Sequence, residues 1–221
     1  MRQIPLPIGF DAKRSFDNFV TGRNALALEH LQRHARNSPP VYLWGPSAAG
    51  KSHLLAALAE RAQADGQRVA RFDADTPLPW PFEEGVELIL FDDCARFDAE
   101  RQQAAFGLFV EATTHAVAIV AAGRVPPVDL PLRDVLRTRF GWGHVLALQP
   151  WTEAESRAAL RRDADRRGLF LSDDVMDFLL VRFARDLKHL IALLDRLDEY
   201  AMATQRQITI PMVRKMLAEE G

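Results

Sequence analysis

Between positions 45 and 52 the chain reads Gly45-Pro46-Ser47-Ala48-Ala49-Gly50-Lys51-Ser52, and these residue types in this order suit one chemistry. Glycines let backbone N–H groups curl around an anion, and a helix opening at the second glycine adds the partial positive charge of its first turn. Lys51 brings a mobile ammonium to the β and γ phosphates of a nucleotide, and the Ser52 hydroxyl can ligate Mg2+. The spacing G-x-x-x-x-G-K-[ST] is that of a phosphate-binding loop. Lysine is scarce here, four residues against 24 arginines, so each lysine's position carries information. Further on, Leu88-Ile89-Leu90-Phe91 ends in Asp92-Asp93. Asp92 stands where an acid would hold Mg2+ through water, and Asp93 could orient an attacking water, although its arm is one methylene shorter than that of Glu. Acids at a strand end also serve as plain turn residues.

These residues need a scaffold, and the apolar pattern predicts one. "VYLW" reads as a short buried strand before the loop, and a long helix follows it to a stop at Gly66. "RVARFDAD", "VELILFDD", "AVAIVAAG" and "GHVLALQP" read as further strands, with helices at about 99–115 and at "LRDVLRTRF". Strands that are apolar on both faces suit a parallel sheet covered by helices on both sides. An earlier helix carries Ala25, Leu28, Leu31 and Ala35 on one face and stops at Pro39-Pro40. After Pro150 only helical periodicity remains, at 152–167, 173–184, 186–203 and 211–219. The expected architecture is an α/β nucleotide-binding domain over residues 15–150, a small all-helical domain over 151–221, and an N-terminal tail over 1–14.

Composition narrows the function classes. At 48% apolar and 26% charged residues, with net charge −2, the chain has a substantial core and no bulk charge to recruit nucleic acid or a membrane. No apolar run approaches bilayer length, and the leader lacks the stretch and cleavage site of a signal peptide. The single Cys94 rules out an internal disulfide. The cytoplasm is the expected compartment.

Several stretches together resemble one family, the bacterial replication initiator DnaA and its shorter relatives among the AAA+ ATPases. They are "FDNFVTGRNALAL", "GPSAAGKSHLL", "LILFDD", "RTRFGWG", "LQPWTEAESRAAL", "DLKHLIALLDRL" and "ITIPMVRKML", which cover the chain from about Ser15 to its end. The resemblance implies a P-loop AAA+ module with a helical lid. It implies that Phe19 and Val20 help form an adenine pocket, with Gly45, Pro46, Ser47, Ala48, Ala49, Gly50, Lys51, Ser52 and His53 at the phosphates of ADP or ATP. It puts Arg139 at the position of an arginine finger, a guanidinium offered across a subunit contact. Lys188 falls where the lid carries its phosphate-sensing arginine; lysine keeps the charge but loses the bidentate fork. Where a polar sensor would face the γ-phosphate stand only Ala121, Ala122 and Gly123, with Arg124 next, so the chain's own ATP hydrolysis is expected to be weak.

The resemblance stops at Gly221, before the initiator's DNA-reading domain would begin, so sequence-specific DNA binding is not expected. An ATPase module without that reader is similar to the Hda family, regulatory inactivators of DnaA. That likeness implies two partners: the DNA polymerase sliding clamp (beta subunit), and DnaA itself, whose ATP hydrolysis the family stimulates to prevent re-initiation. ADP is the nucleotide this family favours, and head-to-tail contacts or a homodimer are assemblies the likeness allows. The leader "QIPLP" fits a clamp-binding peptide, with Gln3 at the rim of an apolar groove, Ile4 and Leu6 inside it, and Pro5 and Pro7 holding the segment extended. A disordered terminus would read the same over five residues. The competing function is an autonomous AAA+ ATPase such as a helicase loader. His30 and His34, four apart, could pair on a metal, but the sequence offers no third ligand beside them. Cys94 reads as a small buried residue, and Trp80 and Trp151 as either packing or partner contacts.

Overall fold

The computed structural model describes residues 14–183, 187–204 and 207–218. They fall into two compact units that divide after Pro150. The first unit is built on a five-stranded sheet: β1 (Val41–Trp44), β2 (Arg68–Phe72), β3 (Val86–Phe91), β4 (Ala118–Gly123) and β5 (His144–Ala147), in the spatial order β2-β3-β4-β1-β5. Every pairing is parallel. All the strands therefore end on one edge of the sheet, and the loops that follow them gather there.

The side chains of the central strands alternate between two cores, as the two-residue period of a strand requires. Val41, Leu43, Leu88, Leu90, Ala118, Val120 and Ala122 face α1 (Ala25–Gln32) and α2 (Lys51–Ala64). Tyr42, Ile89, Phe91, Ile119 and Ala121 face the opposite way, toward α3 (Ala99–Thr114) and α4 (Asp134–Phe140). Strands covered on both sides have no solvated face, which is why they read as unbroken apolar runs. Trp80 belongs to the second core, its ring 5.0 Å from Phe72 and 5.3 Å from Phe97, so it is a packing residue. Cys94 is fully buried, and burial pushes its thiol pKa up, away from nucleophilic reactivity.

The second unit contains α5 (Glu153–Arg166), α6 (Asp173–Phe183), α7 (Leu187–Thr204) and α8 (Ile210–Ala218). Leu160, Met176, Leu179, Leu194, Leu197 and Val213 form its core. A capping box opens α5: the Thr152 hydroxyl accepts from the Glu155 amide, and Glu155 Oε2 accepts from the Thr152 amide at 2.7 Å. Among the described residues no helix is long and apolar enough to cross a membrane.

The sheet brings a third histidine near His30 on α1 and His34, which lies beyond the end of that helix. His144 of β5 lies with its ring 4.5 Å from that of His30. Among the described residues, however, no group of three or more His, Cys, Asp or Glu side chains is arranged to hold a metal ion. His34 is 8% exposed and both of its ring nitrogens are buried without a partner. Burial, with His30, Arg61 and His144 nearby, lowers its pKa from 6.5 to about 4. The unfolded chain thus takes up a proton near pH 6.5 that the folded chain refuses until about pH 4. Stability from this residue is intact above pH 6.5 and lost as pH falls toward 4. The loss between pH 7.5 and pH 5 is on the order of 2 kcal/mol. Urea unfolding at the two pH values checks this, with His34→Leu expected to show a correspondingly smaller drop.

Candidate functional site

The turn from β1 to α2 places the phosphate-loop residues at the carboxyl edge of the sheet, on a strand flanked by β4 and β5. Gly45 (φ 154°) and Gly50 (φ 94°) occupy backbone conformations that side chains disfavour, and Ala48 does so at φ 61°. Space adds a second constraint. A Cβ on Gly45 would lie 2.3 Å from the Leu148 carbonyl oxygen, and one on Gly50 would lie 2.6 Å from the Phe19 ring. Gly50 caps α2 without any side-chain bond, so the amides of Lys51, Ser52 and His53 in the first turn have no intrahelical acceptor. The loop is therefore a glycine-shaped cradle at the positive end of a 14-residue helix. Its residues fit a nucleotide phosphate.

Lys51 is only 9% exposed and donates to the carbonyls of Gly45 and Pro46, both at 2.7 Å. Burial lowers its pKa, while Asp92 and Asp93 pull it back up and Arg124 pushes it down. The ammonium is thus held on loop oxygens within the field of all three groups. Ser52 is exposed, and Asp92 and Asp93 are half-buried. The Asp92 amide continues the β2–β3 ladder by donating to Phe72 O at 2.9 Å. Its carboxylate accepts from the Asp93 amide at 2.8 Å. Asp93 sits in the left-handed region, at φ 44° and ψ 48°, a conformation that costs a non-glycine residue about 1 kcal/mol or more.

Phe19 and His53 close one side of the loop. Phe19 is 5% exposed, its ring 5.5 Å from that of His53. A ring nitrogen of His53 lies 2.9 Å from Ser15 O, and burial lowers the pKa of this imidazole. Val20 is half-buried beside Phe19 in sequence. The same segment is tied to the end of the unit by Asn24, which is 2% exposed. Its amide donates to Gln149 O at 3.1 Å and its oxygen accepts from Gln149 N at 2.8 Å, while Arg23 donates to Pro150 O.

Arg139 stands on α4, which is anchored by buried Leu136 and Phe140. Two positions earlier Arg137 is used up, paired with Asp134 and bonded to Val128 O. Arg139 projects elsewhere. Its guanidinium carbon lies 4.8 Å from the ring centre of Trp142, which is 61% exposed, and among the described residues no carboxylate pairs with it. Val128 (74%) and Val135 (54%) are exposed on the same α4 segment and the turn before it.

Gln3, Ile4, Leu6 and Pro7 lie outside the described residues, as does the side chain of Lys188, whose backbone belongs to α7. Four contacts had no signal in the sequence reading: the Arg124 direction, the Trp142 stack, the Asn24 bridge and the Leu148 carbonyl. Trp142 and Asn24 both stand inside longer motifs, with no spacing to mark them individually.

A parallel sheet of this order, with a glycine cradle after β1 and acids after β3, the next strand but one, is the fold of a P-loop AAA+ module. A protein of Haemophilus influenzae, described as uncharacterized, is 31% identical over 230 residues that span 98% of each chain. Residues 153–217 match the family described as Hda, lid domain. The fold is similar to domain III of the Thermotoga maritima replication initiation protein DnaA, with TM-score 0.78, 20% identity, and 95% and 97% of the two chains covered. It is also similar to AMPPCP-bound DnaA from Aquifex aeolicus, with TM-score 0.72, 19% identity, and 96% of this chain and 71% of that one covered. The chain belongs to the Hda-like family of DnaA-related AAA+ proteins.

Proposed function

We propose that this chain restrains chromosome replication by binding the sliding clamp and stimulating ATP hydrolysis in DnaA, and that it binds ADP or ATP while doing so. One observation carries the reading: Arg139 is presented near the end of a helix anchored by buried Leu136 and Phe140, beside an exposed indole, with no carboxylate of the described residues to neutralise it. An arginine used within its own chain would be paired, as Arg137 is. A guanidinium left this way suits donation to the phosphoryl group of a nucleotide held by another subunit. The family relationship supports DnaA as that subunit.

In the chain's own site, Gly45 to Gly50 would hold the phosphates with Lys51. Ser52 and, through water, Asp92 would hold Mg2+, which neutralises phosphate charge when bound. Phe19, Val20 and His53 would bound the base and sugar side. Gln3, Ile4, Leu6 and Pro7 would dock in the clamp's apolar groove. Replacing Gln3 and Leu6 together by alanine is expected to weaken clamp binding about a hundredfold and to leave ADP binding unchanged. Binding of fluorescent clamp and fluorescent ADP to the same preparations measures both. Undiminished clamp binding by the double variant would contradict the assignment of the leader.

A further inference from the structure

β2 stands at one end of the strand order, and among the described residues it pairs with β3 alone, so its far edge faces outward. Along residues 69–72 the pairing with β3 is regular, and the two-residue period of the ladder decides which backbone groups it uses. Phe72 O accepts from the Asp92 amide at 2.9 Å, so Phe72 and Ala70 turn their amides and carbonyls to β3. Val69 and Arg71 turn theirs the other way, where no hydrogen bond among the described residues takes them up. The edge opens into a groove of about 480 Å3, within the range of about 300–1,000 Å3 common to ligand clefts. Gln63 and Gln67, around the end of α2, and Glu83 and Val86 line it together with the whole of β2.

The two arginines of the strand are used differently. Arg68 is engaged: it donates to Glu84 O at 2.7 Å and pairs with Glu83 at 3.3 Å. Arg71 is exposed, and among the described residues it makes no ion pair. Asp73 and Asp92 border a smaller recess that Arg71 shares with Leu55, and neither of them pairs with it. We propose that the open edge of β2 docks an extended, acid-bearing segment of a partner protein, which adds a strand to the sheet and sets a carboxylate against Arg71. Val69 and Arg71 each offer this segment an amide and a carbonyl, the main-chain bonds that give added strands their affinity. The charge on Arg71 fixes the register, since a slip of one residue turns the carboxylate to the other face of the sheet. Walls of two amides and a carboxylate suit a polar segment better than an apolar one. The same cation that draws an acidic strand keeps a second β2 edge away, because two arginines would then meet.

The test titrates the full chain, labelled with nitrogen-15, with a capped heptapeptide in which valine and threonine alternate around a central glutamate. A second probe carries glutamine at the centre. The glutamate probe is expected to shift the amide resonances of Val69 and Arg71 and to slow their hydrogen exchange. The glutamine probe should bind about threefold more weakly, the size of an exposed ion pair. Arg71→Glu should abolish the preference for glutamate and favour a lysine-centred peptide instead. Val69→Pro removes one outward amide and spares the bonds to β3, an exchange that edge strands tolerate. It should weaken the glutamate probe about fivefold with the charge of Arg71 untouched, and Arg71→Glu carries the test if that variant does not fold. Equal binding of the two probes, or an unchanged preference in Arg71→Glu, would overturn the proposal. So would shifts confined to other elements, or no shift at millimolar peptide.

Discussion

Arg139→Ala is expected to remove the proposed stimulation of DnaA almost completely. Arginine fingers supplied in trans contribute about 10³–10⁵ in rate in other phosphoryl-transfer systems, so the stimulated rate should fall to that of DnaA alone. Arg139→Lys should recover little, since a single ammonium cannot present two parallel donors to phosphate oxygens. The stacked indole gives an internal scale. A half-exposed cation–π contact such as Arg139 on Trp142 is worth about 0.5–1 kcal/mol, so Trp142→Ala should cost only about 2–5-fold if it merely steadies the guanidinium. Phosphate release from ATP-bound DnaA, measured with each variant in turn, separates these sizes. A Trp142→Ala loss as large as that of Arg139→Ala would mean that the indole is itself a main contact with the partner.

The second large effect concerns the chain's own nucleotide. Lys51 is buried, and among the described residues its ammonium donates to the loop carbonyls of Gly45 and Pro46. On phosphate binding it exchanges neutral acceptors for charged ones in a partly desolvated site, where such bonds are strongest. Lys51→Ala should therefore weaken ADP by at least about a hundredfold. Thermal unfolding reads this directly. ADP at one hundred times its Kd stabilises a protein by about 2.7 kcal/mol, which for a chain of this size is a shift of roughly 5–10 °C. Wild type should show the shift and Lys51→Ala should not, while the two melt alike without nucleotide. An undiminished shift in the variant would place the nucleotide elsewhere.

Much of this site was legible in the sequence because its constraints are local. Glycines at 45 and 50, lysine at 51 and a strand on one side with a helix on the other are set within a dozen residues. The apolar runs that became β1, β3 and β4 carried their own explanation, since strands covered on both faces must be apolar on both. The small residues at the end of β4 leave no polar sensor there in the sequence. In the fold Gly123 is small because the Tyr42 hydroxyl occupies its side-chain space, a contact between neighbouring strands 81 positions apart. Contacts of that kind have no local signature. The Asn24 bridge to Gln149 spans 125 positions, and the third histidine beside His30 comes from β5. Arg124 is the clearest case: its identity was plain, and its direction, toward Asp93, depended on the β3–β4 register and on a tyrosine in β1.

Phosphate release in a complete mixture tests whether this protein acts on DnaA. ATP-bound DnaA, clamp loaded on DNA and the chain should be combined, and phosphate release compared with that of every pair of components. The account predicts release well above that of any pair, dependent on the clamp and lost with Arg139→Ala. Release no greater than that of DnaA alone, with the chain demonstrably bound to both clamp and nucleotide, would contradict it.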